Sequence, residues 1–170
     1  MPESERAEGL ALLKVAVQAC RIQLRQRGWF ILEHPQGASS WETDIMKSLL
    51  SEPGVHTVVL DQCEFGLVSR DAQGFAPARK ATKLATNLVM AEFVLGKRCS
   101  HGHRHVQLVN DRAGPAQVYP RGLCLAFVEA YRLELEHKRT AVHQLELNGM
   151  EEKYKDDLHF DLKNDAELFG

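Results

Sequence analysis

The chain has 170 residues, 44% of them hydrophobic and 26% charged, with 21 basic against 23 acidic side chains and a formal net charge of -2 at pH 7. These are the values of an ordinary globular domain with one core, so a fibrous repeat and wholesale disorder are excluded, and without a basic excess any nucleic-acid contact must be local. No apolar run approaches the ~20 residues that cross a bilayer, the first residues (Met1-Pro2-Glu3-Ser4-Glu5-Arg6) are too polar for a secretion signal, and the widely spaced Cys20, Cys63, Cys99 and Cys124 read as thiols or metal ligands, so the expectation is an intracellular protein, of cytoplasm or nucleus, without a membrane partner.

Over 5–27, Leu10, Leu13, Val17, Cys20 and Leu24 recur at intervals of three and four, the stripe of an amphipathic helix that Gly28 closes. Trp29-Phe30-Ile31-Leu32 is an unbroken apolar run and suits a strand over 29–34 covered on both faces. Ser39 and Glu42 are spaced as a capping box, which predicts a helix over 41–51 through Ile45, Met46, Leu49 and Leu50 until Pro53-Gly54 breaks it. The β-branched stretch beginning Val55-His56-Thr57-Val58-Val59-Leu60 predicts the next strand, over 55–65. Helix, strand, helix, strand with short connections implies right-handed crossovers. The predicted fold is therefore α/β: a Rossmann-like mixed, mostly parallel sheet flanked by helices, an incomplete half of the doubly wound arrangement. Strands 29–34 and 55–65 would be interior neighbours whose carboxyl ends open onto one crevice.

Gly74, Pro77 and polar neighbours predict a loop from 68 to 80, and 82–87 returns as a strand antiparallel to its predecessor. A short helix over 89–95 precedes a loop at Cys99-Ser100-His101-Gly102-His103-Arg104-His105. Pro120 stands where a first-turn proline is favoured, and Leu123, Phe127, Val128, Tyr131 and Leu135 continue a helical stripe to about 147. Residues 1–147 then form a single domain, and 148–170 form a charged tail that is partly ordered at best.

Chemistry is suggested at three places. Glu33 emerges at the carboxyl end of an apolar strand, where open α/β sheets bind ligands; it would accept hydrogen bonds from an exocyclic amine, or else cap the following backbone or pair with an arginine. Cys99, His101, His103 and His105, joined by Cys63, offer the thiolate and imidazole ligands that suit tetrahedral zinc, although Cys-x-His-x-His-x-His is no standard zinc spacing and a loop with chance histidines is the alternative. Cys63 follows Asp61 and precedes Glu64, whose charges oppose a reactive thiolate, so it reads as structural or metal-binding rather than nucleophilic. Arg79 and Lys80, with Thr82 and Thr86-Asn87, form a weaker candidate for phosphate contact. No Gly-x-Gly turn precedes an apolar strand and no Pro-Cys dipeptide positions a nucleophile.

The series Glu33-His34-Pro35, Ser40-Trp41, Asp61-Gln62-Cys63-x-Phe65-Gly66, Lys80-Ala81-Thr82, Thr86-Asn87, Cys99, His103-x-His105 and Tyr119-Pro120-x-x-Leu123-Cys124 resembles a domain of copia-type retrotransposon polyproteins over roughly 25–135. That domain distantly resembles the later half of phage-type cytosine-5 DNA methyltransferases. There Glu33 would take the place of the glutamate that grips the flipped cytosine. His34 stands where that family has asparagine and Ala81 where it has proline. Its donor-binding loop and cysteine nucleophile would belong before residue 1. Tyr154-Lys155-Asp156-Asp157 is similar to the paired aspartates of reverse transcriptases, but no upstream carboxylate completes that set.

Three functions follow as expectations. The first is a non-catalytic remnant or accessory domain of a mobile-element polyprotein, contacting nucleic acid or other segments of the polyprotein. The second, implied by the resemblance, is a methyltransferase-like half that needs an upstream donor segment, with Glu33, His34, Lys80, Thr82 and Asn87 binding the substrate. The third is a zinc-stabilised interaction module with Cys63, Cys99, His103 and His105 as ligands.

Overall fold

A computed structural model describes residues 3–109 and 114–168, with the side chains of 150–168 outside that description. Helix α1 (Glu3–Arg25) buries Val17 and Cys20 on the predicted stripe. It closes one residue earlier than glycine placement suggests: Arg27 takes the left-handed conformation (φ 56°), and the N–H groups of Arg27 and Gly28 bond back to Leu24 O (3.0 Å) and Gln23 O (2.8 Å). Gly28 stands beyond that turn, where a Cβ would meet Gln23 Oε1 at 2.3 Å.

Strand β1 (Ile31–Pro35) leads into a 3-10 turn (Ser39–Glu42) and helix α2 (Asp44–Leu50). The capping box does not form. Thr43 precedes α2 and its hydroxyl turns back to donate to Ser40 O at 2.7 Å, so Ser39 and Glu42 lie inside the 3-10 turn. Strand β2 (His56–Asp61) stops earlier than predicted, because Gln62–Phe65 coils into a 3-10 turn that Gly66 closes at φ 89°. Where a loop was predicted, Val68–Asp71 and Gly74–Pro77 pair as a hairpin, β3 and β4, with Gly74 at φ 100°. Strand β5 (Ala81–Thr86), the short helix α3 (Ala91–Leu95), a 3-10 turn (Pro115–Gln117) and helix α4 (Arg121–Leu168) complete the order.

The sheet corrects the predicted Rossmann-like fold. Its order is β1-β5-β2, and both pairings are antiparallel, Glu33 opposite Leu84 and Val58 opposite Leu84. The second of these bears out the antiparallel return of β5. Strands β1 and β2 run the same way but are not neighbours, because β5 lies between them. The physical reason is burial: Thr82, Leu84, Ala85 and Thr86 are all buried, so β5 needs cover on both faces and both edges, which only the central place provides. A crossover through α2 predicts adjacent β1 and β2, and nothing local in either strand reveals that a later one will intervene.

Side-chain alternation along β5 then divides the core. Leu84 faces Val58, Leu60, Phe65, Leu88, Leu95 and Leu123, beneath α3 and the start of α4. Ala85 faces Val17, Cys20, Phe30, Trp41, Met46 and Leu49, beneath α1 and α2. The chain divides into two compact units, Met1–Tyr131 and Arg132–Gly170. The second is the continuing length of α4, which carries the Arg132–Glu136 ion pair and a Gln144–Asn148 bond of 3.1 Å. The side chains of the predicted charged tail lie outside the described residues from 150 onward. No described helix is long and apolar enough to cross a membrane.

Candidate metal centre

The end of β2 organises the site. Asp61 is 1% exposed, and its carboxylate accepts from Arg79 Nε, Arg98 Nε and the Cys99 backbone N–H, each at 3.0 Å. Burial by itself would raise its pKa, but the bond from Cys99 and the two arginines outweigh that and hold the carboxyl below its ordinary value. Asp61 N–H also donates to Lys97 O at 2.9 Å. The stretch after α3 is thus fastened to the strand that ends beside Cys63. Farther along, Val106 N–H donates to Pro77 O at 2.9 Å and Arg104 pairs with Asp71 at 2.6 Å, so the hairpin holds the other end of the histidine loop.

Between those fastenings the loop brings its donors together. One ligand atom from each of Cys63, Cys99, His103 and His105 lies within 4.8 Å of all the others. Cys99 Sγ stands 3.6 Å from His103 Nε2 and 3.4 Å from His105 Nε2. A tetrahedral zinc ion with Zn–S of about 2.3 Å and Zn–N of about 2.0 Å requires S···N edges of roughly 3.5 Å, which those two separations match. This group is able to hold a metal ion. His101 is left out of it: its backbone is left-handed (φ 62°) and turns its own N–H onto Cys99 Sγ at 3.3 Å.

The electrostatics suit a cation. Burial pushes the Cys63 thiol up to about 11, helped by the hydrogen bond with Cys99 and by the charges of Cys99, Asp61 and Glu64. The Cys63 thiolate that a metal needs is thus disfavoured here unless a positive ion offsets the burial and the neighbouring charges. His105 is shifted the other way, by burial first and then by His103, His101 and Arg79, which favours the neutral imidazole that a metal needs.

The residues predicted to bind a substrate are placed differently. Glu33 and His34 point to opposite faces of β1, as neighbours in a strand must. Glu33 Oε2 accepts from Tyr119 OH at 3.0 Å while its Oε1 is buried without a partner among the described residues, and His34 meets Trp41 edge-on at 6.2 Å. Tyr119, which sequence reasoning passed over as a site residue, has its phenol raised to about 12 by burial and by Glu33. Lys80 Nζ donates to Ala116 O at 3.2 Å and lies 5.8 Å from the Tyr119 ring, so Tyr119 links it to Glu33. Thr82 is buried and accepts from Gln62 Nε2 at 3.0 Å. Asn87 is at the far end of β5, about 20 Å from Lys80 by strand length, where it bridges Phe30 N–H and Gly28 O at 3.0 Å each. That double bond to the backbone is a structural duty at the entrance to β1.

No protein-family model, no curated protein and no solved structure matches the chain.

Proposed function

We propose that the chain is a non-catalytic, zinc-stabilised interaction module in which Cys63, Cys99, His103 and His105 hold one zinc ion. The observation that carries this reading is the convergence of those four ligand atoms within 4.8 Å of one another. When the protein supplies all four ligands, no coordination position remains for a substrate, which is the arrangement of a structural site. The metal would join the turn after β2 to a loop that is otherwise without helix or strand, and so replace the core that such a loop lacks. A cleft of about 620 Å³ along α1 and β1, lined by Leu10, Leu13, Leu32 and Met46, and the exposed Phe75 and Phe93 offer surfaces for a partner. Within a retrotransposon polyprotein such a module would act as an accessory segment, contacting other segments or nucleic acid.

Metal analysis of purified protein is expected to find a single zinc ion per chain. Chelator is expected to lower the melting temperature, and Cys99→Ser to abolish both the zinc and the chelator effect. A chain that carries no zinc and melts identically with and without chelator defeats the proposal.

A further inference from the structure

Beside the cluster lies a second cleft, of about 450 Å³, lined by Arg79, Ala81, His101, His105, Val106 and Gln107. Every polar side chain in that lining is able to donate a hydrogen bond, and none is a carboxylate. Arg79 spends only its Nε on Asp61, at 3.0 Å, and its two terminal amino groups make no hydrogen bond among the described residues. Because Asp61 is 1% exposed and already takes Arg98 and Cys99 N–H as well, it acts as a fixed anchor that aims the guanidinium rather than as a charge that occupies the cleft.

His105 adds a second donor. Its Nε2 belongs to the ligand cluster, 3.4 Å from Cys99 Sγ, which leaves Nδ1–H to donate. A metal-bound imidazole almost always gives that proton to an acceptor, and among the described residues none is provided. His101, kept out of the cluster by its left-handed backbone and bonded through its N–H to Cys99 Sγ, brings a further imidazole, edge-on to His105 at 5.8 Å. Gln107 contributes a carboxamide.

We infer that this cleft is a binding site for the phosphoryl group of a phosphate ester. The inference rests on the metal reading, since the metal would order the loop that carries three of the donors. A planar carboxylate has two oxygens, which the Arg79 fork alone would occupy. A phosphoryl group has oxygens left over for His105 Nδ1–H, His101 and Gln107. The volume exceeds what inorganic phosphate fills and falls in the range of small-ligand sites, so an ester with part of its organic body is the fitting occupant.

The test titrates the zinc-loaded full chain by calorimetry with inorganic phosphate, a nucleoside monophosphate, a short single-stranded oligonucleotide and, as the carboxylate control, acetate. Saturable binding of inorganic phosphate is expected, with acetate at least about tenfold weaker. A gain confined to the monophosphate identifies a small ester. A larger gain for the oligonucleotide that fades with added salt identifies a nucleic-acid backbone. His101→Asn keeps a residue that tolerates the left-handed backbone, and with it the backbone N–H bond to Cys99 Sγ, and removes none of the four proposed ligands; Arg79→Lys keeps the charge opposite Asp61 but removes the fork. Each is expected to weaken phosphate binding about tenfold while zinc content, measured on the same samples, stays unchanged. The inference is overturned if the zinc-loaded chain shows no saturable phosphate binding, if acetate binds equally well, or if neither variant changes the affinity. A chain that takes up no zinc removes the metal reading and this inference with it.

Discussion

At the end of β2 the Asp61 carboxylate receives hydrogen bonds from Arg79, Arg98 and Cys99 N–H while 1% exposed, and its pKa is held below the ordinary carboxyl value. A carboxyl whose folded value is depressed contributes stability that is fully present above its unfolded pKa and is lost as pH falls through the lower, folded value. Asp61→Asn is therefore expected to destabilise the chain by about 2 kcal/mol near neutral pH. That figure is modest because Arg79 and Arg98 are 36% and 42% exposed, and water recovers part of what they lose. The difference from wild type should shrink as pH drops below the normal carboxyl range. Urea unfolding of both proteins across a pH series checks this, and a gap that stays constant into acid would assign the role to something other than the charge.

Two elements meet at Gly122, in the first turn of α4, where a Cβ would stand 2.3 Å from the carbonyl oxygen of Phe65. Helix propensity alone favours Gly122→Ala by about 1 kcal/mol. Contact with a backbone atom that cannot swing aside reverses the sign, and a loss of about 1–3 kcal/mol is expected. Phe65 ends the same 3-10 turn that carries Cys63. The variant should therefore also weaken zinc retention against a competing chelator. Denaturant midpoints and chelator competition read the two effects separately, and a stabilised variant would mean that α4 does not approach the turn so closely.

For the molecule as a whole, the decisive division falls at Tyr131: both core clusters and all four candidate ligands lie within Met1–Tyr131. A chain ending at Thr140, which retains a few residues of helix beyond that boundary, is expected to keep its zinc stoichiometry and its cooperative melting. If metal content fell on truncation, the centre would depend on Arg132–Gly170. Antiparallel pairing of β5 with both β1 and β2 also places the carboxyl ends of β1 and β2 at the same end of the sheet, with the start of β5 between them.

The sequence by itself determined the amphipathic α1, the strands near Ile31 and Val58, the return of β5 against β2, and the four metal-ligand candidates, because each depends on local periodicity or on side-chain chemistry that needs no knowledge of neighbours. It missed the β3–β4 hairpin, since Gly74 and Pro77 are turn and edge residues that mark a loop equally well. It also read the sheet as mostly parallel, because strand order depends on which strand most needs burial, a competition settled among Leu84, Val58 and Ile31 only when all three meet. Asp61 was visible as an acid beside Cys63, yet its role as the anchor for Arg79, Arg98 and the Cys99 amide depends on bonds to residues up to 38 positions away. The same holds for the metal group, in which Cys63 and His105 become neighbours only because the tertiary structure fastens the histidine loop to the end of β2 and to the hairpin.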